Sequence, residues 1–196
     1  MATMNAKEVG VGAALATGAI FVASDNTNAP TDATSTLHSD YKLLGFTSDA
    51  GLTISESRST NKINAWEGRT TVYEVVTEYT ESIAFTPIQI NADVAELTWG
   101  ADHVTASEGA ITIKHHGETL EPVSIVIETV PRPSIVRRYV GDFQLSERGQ
   151  AANDGTQVDG RQPTFTAIAD ENGVTMTEYV AFISDDGNDQ STEETS

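Results

Sequence analysis

Cysteine is missing from the chain, and with it any disulfide framework or thiolate metal site. Aromatic residues are scarce, 7% of 196, and the apolar fraction of 38% is low for a densely packed globule. Such a chain can build one modest core, with the rest lying in arms, loops or faces that need partners. Positive charge is equally scarce: 11 Lys and Arg stand against 29 Asp and Glu, a formal net charge of −18. A surface of that sign repels phosphate, which argues against nucleic-acid binding through a basic footprint. N-x-Ser/Thr sequons are absent, as is any apolar run long enough to span a bilayer as a helix. The longest apolar stretch, Val9 to Ala23, has the length of a signal-peptide core. Glu8 offsets Lys7, however, and Gly10, Gly12 and Gly18 interrupt it, so secretion is the disfavoured reading.

What is present is period-two alternation. Leu52 and Ile54 alternate with Thr53 and Ser55; from Arg69 to Phe85, Tyr73, Val75, Tyr79, Ile83 and Phe85 share one parity. Further strands are expected at Val123–Ile127, Ser134–Ser146, Phe165–Ala167 and Tyr179–Ile183. Asp154-Gly155, Asp159-Gly160 and Asn172-Gly173 supply turn chemistry. Asn91 is a good N-cap for a short helix whose apolar face is Val94, Leu97 and Trp99, and Gly100 ends it. Residues 24–36 read as an extended arm. Residues 184–196 hold five acids, no base and no large apolar residue, and are expected to be disordered.

Catalytic and ligand-binding patterns are weak. Gly10-Val-Gly12 lacks the preceding strand and the third glycine of a dinucleotide loop. His115-His116 are adjacent, so on a strand they point to opposite faces; with no third ligand evident, an exposed hairpin tip is the better account. Arg137-Arg138 are expected to pair with acids rather than to bind phosphate. Nucleophile elbows, phosphate loops and zinc-protease signatures are all absent. No enzymatic activity, cofactor or metal is expected.

One ordered set of segments carries a family likeness. It comprises Thr17-Gly-Ala-Ile-Phe-Val-Ala, Ala29-Pro-Thr-Asp-Ala, Leu44-Gly-Phe-Thr-Ser-Asp-Ala-Gly-Leu-Thr-Ile-Ser and Ile63-Asn-Ala-Trp66. A long strand ending Ile83-Ala-Phe-Thr, a helix ending Trp99-Gly, Phe165-Thr-Ala-Ile-Ala-Asp and Asn172-Gly-Val complete it. In order and spacing, across most of residues 11–183, the sequence resembles the major tail protein of long non-contractile-tailed bacteriophages, especially the actinobacteriophage type.

The resemblance implies a mainly β fold, a β-sandwich or partial barrel with one short flanking helix. It further implies hexameric rings with a continuous inner β-barrel, stacked into a conduit for the genome. The partners so implied are other copies of the chain, the tape measure protein, and the tail terminator and distal tail proteins. Viral DNA would pass without specific binding, and no membrane would be involved. The location would be the virion tail, with assembly in the host cytoplasm. Residues 1–36 would form an N-terminal strand and arm, 37–183 the tube domain and 184–196 an acidic tail. The rival reading is a secreted β-sandwich adhesin or carbohydrate-binding module.

Within a tube, alternation assigns Leu52, Ile54, Tyr73, Val75, Tyr79, Ile135, Tyr139, Phe143 and Phe165 to the core. The opposite parity, Thr53, Ser55, Glu74, Glu78, Asp142, Gln144, Thr164 and Thr166, would line the lumen. Ser55 to Arg69 reads as a polar loop reaching a neighbouring ring, with Arg58, Lys62 and Trp66 at the contact.

Overall fold

The computed structural model describes residues 9–14, 18–25, 27–151, 155 and 160–183. The acidic stretch 184–196, and Asp154 and Asp159 of two expected turns, lie outside the described residues. Among the described residues ten strands and one α-helix follow in order: β1 (Ile20–Ser24), β2 (Lys42–Leu43), β3 (Thr47–Asn64), β4 (Thr71–Pro87), α1 (Ala92–Trp99), β5 (Val104–Ser107), β6 (Ala110–Ile113), β7 (Val123–Arg132), β8 (Ile135–Glu147), β9 (Thr164–Ile168) and β10 (Thr177–Phe182). Eight of the strands form one antiparallel sheet in the order β2-β1-β7-β8-β9-β4-β3, with β10 paired to the first half of β8. The pair β5-β6 is a separate hairpin. The sheet is not closed into a barrel. All six strands read from alternation are present, as is the helix; no helix among the described residues is long and apolar enough to cross a membrane.

The helix forms where its caps dictate. The Asn91 side chain accepts a hydrogen bond from the Val94 amide at 2.8 Å, satisfying one of the amides left free at a helix start. At the other end Gly100, with φ of 84°, donates its amide to the Glu96 carbonyl. Leu97 then packs into the main core, against a sheet face built from Ile20, Ile83, Phe85, Ile125, Ile127, Phe143 and Phe165. Phe85 and Phe165 stack across β4 and β9 with ring centres 5.6 Å apart.

The opposite face of the sheet has its own, smaller cluster, where Ala23, Val126 and Val140 meet Tyr41. The cover is the stretch after β1, read from sequence as an extended arm. Pro30 and Ala33 are buried, and Tyr41 shares a hydrogen bond of 3.0 Å with the Ser124 hydroxyl. Burial pushes the Tyr41 hydroxyl above its ordinary pKa. The stretch is pinned by Arg138, one of the few buried charges. Its guanidinium donates to Glu128, and to the carbonyls of Asp32 at 2.8 Å and Ser35 at 2.9 Å. Arg137, on the other side of the same strand, pairs with Glu178 at 3.0 Å.

Because Arg138 is buried and its donors join β7 to the covering segment, removing it strands Glu128 in the interior. Arg138→Ala is expected to cost about 3–5 kcal/mol of unfolding free energy in denaturant titration. Arg137→Ala, whose ion pair is half-exposed, is expected to cost less than about 1 kcal/mol. Equal effects would show that Arg138 does not hold the sheet cover.

Candidate functional site

The feature without a use inside a single subunit is the ribbon formed by β3 and β4. Its inner part is ordinary sheet: Leu52 pairs with Phe85, Ile54 with Ile83, and β4 continues onto β9 at Ser82–Ala84. Beyond Glu81 the two strands run on together from Glu56 to Asn64 and back from Thr71, pairing with no third strand among the described residues. The segment Ser55 to Arg69, expected to be a loop, is therefore mostly strand, closed by a turn at 65–70. Its serines and charged residues alternate without an apolar face, which removes the usual strand signal, and its pairing is set by β4 instead. The turn is closed by the Ala65 amide on the Thr70 carbonyl at 2.8 Å.

Large apolar side chains are exposed along this ribbon. Trp66 at its tip is 95% exposed, Tyr73 is 64% exposed, and Ile63, Val72, Val75, Val76 and Tyr79 are also exposed. Three of these, Tyr73, Val75 and Tyr79, were expected in the core. The remainder of the expected core stands: Ile135, Phe143 and Phe165 are buried, and Leu52, Ile54 and Tyr139 pack partly against them. Tyr73, Val75 and Tyr79 differ because β4 leaves the body of the protein at Thr80. Arg58 and Lys62 are exposed on the same ribbon.

A bulge changes which residues share a face. Ser59 pairs with Glu78 but Thr60 pairs with Val76, leaving Thr77 as an extra residue in β4. One inserted residue reverses the parity of everything beyond it. Glu78 therefore lies on the face of Ser57 and Ser55, whereas Glu74, paired with Lys62 and accepting a hydrogen bond from Thr60 at 2.6 Å, lies on the other. The two glutamates cannot line one surface together. The inner polar residues do lie together: Ser55 pairs with Ser82, Ser82 with Thr166 and Thr166 with Gln144, and Thr53 joins Thr164 through Ala84. Thr53 and Ser55 are exposed, while Thr164 and Thr166 are half-buried. Gln144 is engaged by the Leu120 carbonyl at 3.0 Å, and Asp142 sits beside Ser124 near the sheet cover.

A cleft of about 590 Å³ opens near the root of the ribbon, between β1, the start of β3 and the paired ends of β8 and β10. Phe46 and Phe182 line it while remaining 70% and 68% exposed, next to Ile54 and Val180.

A second cluster surrounds Trp99. His115 and His116 are not at an exposed hairpin tip, which is Glu108-Gly109; they follow β6 and return to the end of α1. The His115 ring stacks on Trp99 at 3.8 Å, and Arg148 lies over the same indole at 4.7 Å. His116 instead stacks on His103 at 3.6 Å. The Trp99 indole offers a flat apolar surface to His115, and the β5-β6 hairpin carries His103 to His116, as the Lys114 amide donates to the His103 carbonyl.

The sequence matches a family model described as phage tail tube protein over residues 2–194, nearly the whole chain. Comparison with curated proteins returned no match.

The exposure difference between the two tryptophans gives a direct check on the ribbon. In the monomer Trp66 is expected to emit as a hydrated indole and to be quenched by iodide, whereas Trp99, 8% exposed, is shielded. Trp66→Phe is expected to remove the quenchable, red-shifted component. Emission that stays quenchable in that variant would place Trp66 elsewhere.

Proposed function

We propose that this chain, which belongs to the phage tail tube protein family, builds its tube by laying the β3-β4 ribbon against a neighbouring copy. The family membership makes the protein a structural tail tube subunit of the virion tail, self-assembling with other tail proteins; the adhesin reading has no support. Hexameric rings with a continuous inner barrel, stacked as the conduit for genome delivery, are the finer form of this reading. So are contacts with the tape measure, terminator and distal tail proteins, the non-contractile actinobacteriophage type, and assembly in the host cytoplasm.

The observation that carries the proposal is the ribbon itself. An isolated two-stranded ribbon is at best marginally stable in water. This one also has an edge along β3 that is unpaired among the described residues, and it exposes a row of large apolar side chains. Long free edges of this kind invite pairing with another chain, and ring closure is a way to leave none exposed. A heterologous contact, in which the ribbon of one copy meets a different surface of the next, closes into rings or continues into filaments. The cleft lined by Phe46 and Phe182 provides an apolar surface for such a contact, and Trp66 has the size and exposure of an interface anchor. Arg58 and Lys62 add positive charge to a strongly acidic protein, which favours an acidic neighbour surface.

The lumen lining follows from the polar face of the inner sheet, narrowed by the bulge. Thr53, Ser55, Glu78, Thr164 and Thr166 are assigned to the lumen, Glu74 to the opposite face, and Asp142 and Gln144 to the margin beneath neighbouring segments. Repetition around a ring turns Glu78 into a circle of negative charge, which disfavours phosphate contacts and keeps DNA mobile. Screening limits that effect to about 8–10 Å at ordinary ionic strength.

Excising residues 59–78 and joining Arg58 to Tyr79, a directly paired position, through an Asn-Gly turn is expected to leave a folded monomer that forms no tubes in negative-stain microscopy. Tubes of normal appearance from that variant would contradict the ribbon's role. Glu78→Lys is expected to slow DNA ejection, more so at low salt, with Glu74→Lys much less affected. Equal ejection kinetics for wild type and Glu78→Lys virions would remove Glu78 from the lumen.

A further inference from the structure

We propose that His103, His116 and Glu118 form a binding site for one divalent transition-metal ion of the zinc class. The site stands apart from the ribbon and does not depend on how subunits assemble.

The donor set comes first. One ligand atom from each of the three residues lies within 4.8 Å of the others. His103 Nε2 is 3.3 Å from a Glu118 carboxylate oxygen, and His116 Nδ1 is 3.8 Å from the same oxygen. Two imidazoles and one carboxylate suit Zn2+ and its neighbours in the first transition row, with a fourth position open to water.

His116 is also oriented as a ligand requires. Its Nε2 donates to the Trp99 carbonyl at the end of α1, which fixes the neutral tautomer and leaves the Nδ1 lone pair facing Glu118. At present the Glu118 amide donates to that Nδ1 at 3.2 Å, and the two imidazole rings are stacked with an angle of 24° between their planes. Parallel rings cannot both direct a lone pair at one ion. Binding therefore requires the His103 ring, whose side chain is 27% exposed, to swing out of the stack toward Glu118.

The surroundings favour a cation independently of the ligands. His103, His116 and Glu118 line a cleft of about 660 Å³ that also holds Asp40, Asp93, Glu96, Asp102 and Glu121. Lys42 is the basic residue lining it, and its ammonium is paired with Asp93 at 3.0 Å. Concave walls of one sign concentrate counter-ions. A bound ion would join the short turn after α1, which supplies His103, to the strand-free segment that leads into β7, which supplies His116 and Glu118.

The test uses full-length untagged protein carrying Trp66→Phe, so that emission reports Trp99 beside the site. Co2+ is added in the presence of excess Mg2+, which occupies ordinary carboxylate sites. One equivalent of Co2+ is expected to give visible absorption bands of a nitrogen-ligated, low-coordinate ion and to quench Trp99, and Zn2+ is expected to reverse both. His103→Ala and Glu118→Gln are each expected to weaken Zn2+ binding by about tenfold or more, since loss of even an outer partner has that effect. Glu118 is largely exposed, so Glu118→Gln leaves the fold intact and keeps the test meaningful if His103→Ala is unstable. Co2+ that keeps the spectrum of the hydrated ion, or Zn2+ affinity undiminished in Glu118→Gln, would overturn the assignment.

Discussion

The row of backbone amides and carbonyls along the outer edge of β3 is the constraint on which the architecture depends. A backbone polar group removed from water without a partner is costly, and a strand edge presents many at once. In this protein the edge belongs to an 18-residue strand, half of which, Glu56 to Asn64, extends beyond the core. A single subunit can tolerate that edge only while it is hydrated. In the proposed assembly another copy covers it, so a tube subunit can keep a small core and still make a stable assembly.

The low apolar content has the same origin. The subunit covers two faces of one sheet with limited material: α1 and Leu44 on one side, and the stretch through Pro30, Ala33 and Tyr41 on the other. The second face is closed less by apolar burial than by Arg138, whose donors tie Glu128 on β7 to two carbonyls of the covering segment. A buried charge is tolerated here because each neighbour completes its hydrogen bonding. Much of the remaining apolar surface, including Trp66, Tyr73, Phe46 and Phe182, faces outward. In a monomeric protein that would be an aggregation liability; in a tube subunit it is material for contacts.

Much of the fold was legible in the sequence because it depends on local patterns. Alternation located six strands, and the Asn91 and Gly100 caps located the helix, since each signal is set by neighbours within a few residues. The outer ribbon was illegible as strand because Ser55–Asn64 has no apolar face: its pairing is dictated by β4, not by burial. Face assignment failed at Thr77 for a related reason, since a bulge is a property of two strands in register and leaves no mark in the alternation of one. The histidine cluster was missed because His103 and Glu118 meet His116 only after the β5-β6 hairpin has formed and Trp99 has supplied a surface. The adjacency of His115 and His116, the visible feature, proved the less informative one: they part company, one onto Trp99 and one onto His103.

Hydrogen–deuterium exchange of the ribbon amides in monomer and in assembled tube tests the central claim most directly. The outward-facing amides of β3 between Thr53 and Asn64 have no strand partner among the described residues and should exchange rapidly in the single subunit. Pairing with a neighbour predicts strong protection of those amides in the tube, with little change for β7, whose bonds are already internal. Equally rapid exchange of the β3 amides in tubes and monomers would contradict an assembly built on that edge.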